Sequence, residues 1–83
     1  MPYINPSARI QLTYEIDQLV KKLSTPGEVN YVFSSVIWRL FDAQPSYAKA
    51  NELLGVLEAV KQEFYRRKVA PYEDAKIKEN GDL

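Results

Sequence analysis

An all-α fold follows from three features of this sequence. Apolar residues recur at three- and four-residue intervals over long stretches, and no segment alternates apolar and polar residues as a half-buried strand would. Short clusters of Pro, Ser, Asn and Gly separate the stretches. They resolve into three main helices over about residues 6–23, 27–42 and 47–69 and a short C-terminal helix over about 71–80. The chain is expected to be a single helical domain, 1–83, that assembles as an oligomeric bundle.

The first residues, Met1 to Asn5, read as an extended segment pinned by Tyr3 and Ile4 between Pro2 and Pro6. Asn5 is a candidate N-cap for the first helix, with Pro6 at its first position. Leu12, Ile16, Leu19, Val20 and Leu23 make a narrow stripe there, so this helix packs on one side. Thr25 and Glu28 have capping-box spacing around Pro26 and open the second helix. Gly27 equally suits a turn that would delay that start.

In the second helix, Val29, Val32, Phe33, Val36, Ile37, Leu40 and Phe41 cover about half the circumference, wider than the usual stripe of about 100°. It reads as the central core helix. Tyr31 and Trp38 fall on its other side beside Ser34, Ser35 and Asp42, where large aromatics call for a partner.

Ala43-Gln44-Pro45 breaks the pattern, and Ser46 or Asn51 is the candidate cap of the third helix. Ala50, Leu53, Leu57, Val60 and Phe64 form its inward seam, widened by Leu54 and Val56. Gly55 and Ala59 lie four apart on the opposite face. A glycine within a helix costs about 0.5–1 kcal/mol relative to alanine. Gly55 therefore reads as room for a second backbone or as a tolerated surface glycine. Proline lacks the amide and disfavours helical geometry before it, so the third helix is expected to end or kink ahead of Pro71. Glu73 and Asp74 in the first turn, Lys76 and Lys78 near the end and Gly81 beyond it then mark the short fourth helix.

Composition removes several classes of function. Eleven basic and eleven acidic residues cancel, leaving no global field to draw in duplex nucleic acid or a membrane surface. There is no cysteine and no histidine, so thiol nucleophiles, disulfides, the usual zinc sites and histidine acid–base chemistry are all excluded. An enzyme would need carboxylates, Lys or Tyr as acid–base groups, and no pattern assembles them; no enzyme and no cofactor is expected. Apolar runs stay short of the roughly 20 residues of a spanning helix, and Met1-Pro2-Tyr3 does not begin a signal peptide, so a soluble cytoplasmic protein is expected. The break between helices two and three has helix-turn-helix length. Yet Tyr47-Ala48-Lys49-Ala50-Asn51 offers one cation and little to read bases.

The blocks Met1-Pro2-Tyr3-Ile4, Asn30-Tyr31-Val32, Phe64-Tyr65-Arg66-Arg67, Pro71-Tyr72-Glu73-Asp74 and Asn80-Gly81-Asp82 resemble those of a family of short, uncharacterised, all-helical proteins of phages and bacteria. The order and spacing of these blocks span nearly the whole chain. In size and helical make-up the chain is also similar to viral sponge proteins, small homo-oligomers that sequester cyclic nucleotide signals of bacterial immunity. That second similarity is one of general character and rests on no matched motif. It implies a phage inhibitor acting in the cytoplasm of a bacterial host cell.

Tyr65-Arg66-Arg67-Lys68 is the basic cluster of the chain. At a helix C-terminus such cations complement the dipole, a contribution of about 0.3–1 kcal/mol. As a binding site, arginine forks suit phosphate, the planes of Tyr65, Tyr72, Tyr31 and Trp38 suit stacked bases, and Asn30 and Asn80 suit base edges. At about 100° per residue Arg66 and Arg67 should serve different surfaces, one pairing with Glu73 or Asp74 and the other facing a groove. Glu73-Asp74 as a Mg²⁺ site is disfavoured because adjacent carboxylates on a helix diverge.

The function expected is a non-enzymatic homo-oligomer, associating through the third helix and the outer face of the second. It would bind a small anionic nucleotide-type ligand, such as a cyclic nucleotide, at or near a subunit interface. The alternative is a protein–protein interaction or structural module with no small-molecule ligand.

Overall fold

The computed structural model describes residues 4–83, and among these no strand forms. The helices are α1 (Pro6–Val20), α2 (Pro26–Ala43), α3 (Tyr47–Phe64), a π turn (Tyr65–Val69) and α4 (Ala70–Asn80). The contacts divide into two units, Met1–Ala43 and Gln44–Leu83, described in turn.

In the first unit, the carboxamide oxygen of Asn5 accepts the amide of Ala8 at 2.9 Å and the hydroxyl of Ser7 at 2.7 Å. This N-cap fills one of the donors that a helix start leaves unmet. α1 ends at Val20, short of the expected residue 23. The chain tightens there: the amides of Lys22 and Leu23 donate to the carbonyls of Leu19 and Val20, three residues back. The cause lies downstream, because Pro26 and the cap it opens hold Ser24 and Thr25 outside any helix. The expected pinning of the N-terminal segment by Tyr3 falls outside the described residues, and Ile4 is exposed.

The capping box forms as its spacing requires. Thr25 Oγ1 accepts the Glu28 amide at 3.1 Å, and Glu28 Oε1 accepts the amides of Ser24 and Thr25 at 2.8 and 2.9 Å and the Ser24 hydroxyl at 3.0 Å. α2 consequently starts at Pro26, and Gly27 lies inside it instead of making a delaying turn. The amides of Ser24 and Thr25, foremost among the causes, hold the Glu28 carboxyl below its ordinary value of 4.5. A depressed carboxyl contributes stability above its unfolded value and loses it as the pH falls through the folded one. Acidification below about pH 4.5 is therefore expected to fray the start of α2. Amide exchange at Ser24 and Thr25 followed against pH would show it, and Glu28→Gln should flatten that dependence.

α2 was expected as a core helix, yet none of its residues is buried. Val29, Phe33, Val36 and Leu40 on the aliphatic side are exposed, as are Tyr31 and Trp38 on the other. Within this unit, α1 supplies no cover for them.

In the second unit, Ser46 is the cap of α3, its hydroxyl accepting the Lys49 amide at 2.9 Å. Leu53, on the inward seam, is the one buried apolar residue among those described. Pro71 does not end the helix. Ala70 has helical angles (φ −60°, ψ −46°), and its amide donates to the carbonyl of Tyr65, five residues back. The wide turn of Tyr65–Val69 absorbs what a proline disrupts, namely a missing donor and a ring that crowds the carbonyl four residues earlier. Pro71 then sits in the first turn of α4, which continues from the π turn without a break. α4 stops at Gly81, whose φ of 84° is costly for any residue carrying a Cβ.

Candidate functional site

The candidate residues fall in both units: Asn30, Tyr31 and Trp38 on α2, the remainder on the π turn and α4. On α2, Asn30 Oδ1 accepts the Ser34 hydroxyl at 3.1 Å, so its amide side chain is engaged within its own helix. Tyr31 and Trp38 lie seven residues apart, two helical turns, and are 69% and 67% exposed. They present two flat faces along one side of the helix.

The arrangement of the basic cluster differs from the one its spacing suggests. Arg66 and Arg67 are not directed to separate surfaces; both turn back to Glu63. Arg66 Nη2 reaches the two carboxylate oxygens at 3.1 and 3.3 Å, and Arg67 Nη1 reaches Oε2 at 3.8 Å. Glu63 lies three and four residues ahead of them, the two separations that share a helix face. The long arginine stems close the remaining angle between Cα directions. Neither arginine pairs with Glu73 or Asp74, and among the described residues Lys68 makes no ion pair.

Glu73 is taken by Tyr65 instead, whose hydroxyl donates to its carboxylate at 2.9 Å. That bond, the largest cause, together with the charge of Glu73, raises the tyrosine above its ordinary value of 10.0. Tyr72 is exposed, with the Lys76 ammonium 5.5 Å from its ring centre. Asn80 closes α4, and no side-chain bond is made by it among those described.

A groove of about 380 Å³ runs beside the π turn, lined by Lys61, Gln62, Phe64, Tyr65 and Val69. Its volume lies at the lower end of the range typical of small-molecule sites, and its walls are mainly apolar. Glu63, Arg66 and Arg67 are absent from that lining, so the stacking surface and the guanidinium pair occupy different sides of this segment. A second hollow of about 270 Å³ lies at the C-terminus between Tyr72, Glu73, Lys76, Ile77 and Gly81–Leu83.

Sequence reasoning missed Glu63. Its signal lies in the separations of three and four residues to Arg66 and Arg67, the same ones that join helical neighbours, whereas Glu73 and Asp74 lie downstream. Among the described residues, no helix is long and apolar enough to cross a membrane.

No curated protein and no solved structure matches the chain. The profile of a family described as Domain of unknown function (DUF6899) matches residues 1–83, end to end, and the chain belongs to that family.

Proposed function

We propose that the chain is a non-enzymatic homo-oligomeric binding protein that sequesters a small anionic ligand of the nucleotide type. The observation that carries the self-associating half is the apolar surface each unit leaves uncovered. α2 exposes apolar side chains on two sides, the aliphatic one and that of Tyr31 and Trp38. A second copy of the chain is the occupant we assign to the exposed aromatic side. Balanced charge, eleven residues of each sign, removes the repulsion that would oppose like copies meeting.

Support for the ligand half comes from Arg66 and Arg67, two exposed guanidinium groups held on one side of the helix by a single carboxylate. Planar forks of this kind suit phosphate oxygens, and Tyr65, on the groove side of the same turn, offers a face for a base. Lys68, Tyr72 and Asn30 have weaker claims, since none of them joins the guanidinium pair. A phage inhibitor that soaks up a nucleotide immune signal fits this reading, on the strength of the likeness to sponge proteins.

A thermal-shift panel of cyclic dinucleotides, NAD-derived signals and plain nucleotides tests the ligand half. A true ligand at about a hundredfold excess over its Kd stabilises by about 2.7 kcal/mol. No shift with any of them would leave a protein-binding module as the better account.

Gly55 gives a further check on the interface. A Cβ there would meet nothing within 4 Å in the chain itself. Gly55→Ala is therefore expected to raise helix stability by about 0.5–1 kcal/mol at low protein concentration. If a second copy lies against the Gly55/Ala59 strip, the same change weakens association, so melting curves at two concentrations should move in opposite directions.

A further inference from the structure

The two arginines that a ligand phosphate would use already hold an anion, and it belongs to the chain. We infer that Glu63 is the resident occupant of an oxyanion site formed by Arg66 and Arg67, and that a phosphate-bearing ligand binds there by displacing it. The inference rests on the ligand half of the proposed function and adds a competitor to it.

The geometry supports exchange in place of a fixed structural bridge. Arg66 spans both carboxylate oxygens, at 3.1 and 3.3 Å, whereas Arg67 stands off at 3.8 Å, so the second fork is underused by a single carboxylate. The arginine side chains are 71% and 65% exposed and the Glu63 side chain 32%, so an incoming anion meets the guanidinium groups before it meets Glu63. An exposed pair of this kind holds its partner weakly. A phosphate brings three oxygens and a higher charge, enough to fill both forks together. When it enters, Glu63 swings to solvent with its charge intact, and no proton need move. Removing the carboxylate without removing its shape should therefore uncover the site.

Inorganic pyrophosphate is the probe, titrated at fixed ionic strength and followed by the NMR resonances of the arginine Nε–H groups. Glu63→Gln is expected to tighten pyrophosphate binding about two- to fivefold over the unmodified chain. Arg66→Gln and Arg67→Gln should each weaken it. Glu79→Gln removes the same charge from an ion pair in α4, with Lys76, and should leave the affinity unchanged. Equal tightening by Glu63→Gln and Glu79→Gln would reduce the effect to net charge and overturn the inference. So would no gain in Glu63→Gln. Running ADP alongside separates the two levels: ADP binding without a gain in Glu63→Gln sinks the competitor alone, and no binding of either probe by any variant sinks the ligand reading with it.

Discussion

Trp38→Ala is expected to weaken self-association by at least about 2 kcal/mol, roughly thirtyfold in Kd, while the helix content of the separated chain stays unchanged. Both halves of that expectation come from the same observation. Trp38 is 67% exposed, so its indole contributes little to the fold of its own unit. Large aromatics placed at the centre of an interface tend to carry its energy. Tyr31, two turns away on the same side, should show a smaller effect in the same direction. Sedimentation of the two variants at several concentrations, with circular dichroism alongside, measures association and fold separately. A Trp38→Ala chain that associates as tightly as the original would move the interface elsewhere.

Arg66→Ala and Arg67→Ala should each cost about 1.5–3 kcal/mol of nucleotide affinity, about tenfold to a hundredfold, as expected for a hydrogen bond to a charged group. Their effect on stability should be far smaller, because an exposed ion pair contributes at most about 1 kcal/mol. The contrast separates a ligand site from a structural ion pair. Loss of a structural bridge to Glu63 would lower the melting temperature with no nucleotide present, whereas a lost ligand contact shows only in the titration. Lys68→Ala is the internal control: it removes a neighbouring cation that makes no ion pair among the described residues, and its effect on affinity should be the smallest of the three.

Most of the local structure was legible in the sequence because it is set by neighbours a few residues apart. Asn5, Ser46 and the Thr25/Glu28 box each cap through a side chain that reaches only three residues, and all three form. What failed involved choices among several local solutions. Pro71 was expected to end or kink the helix, and the chain runs on through a π turn ahead of it. Spacing alone does not distinguish those outcomes, since both relieve the same missing donor and the same ring clash. The guanidinium pair was misread for a related reason. A wheel of Cα directions separates Arg66 from Arg67, but their flexible stems allow both to end on Glu63. The wide apolar face on α2 pointed to a core helix, yet none of its residues is buried. Which surface covers that face depends on packing between elements, and periodicity within one helix carries no information on it.

Sedimentation equilibrium of the unmodified chain at micromolar concentration tests the central claim most directly. Self-association through the uncovered apolar faces predicts a mass of two or more whole chains of 9.6 kDa. A fully helical, strictly monomeric chain under those conditions would contradict it.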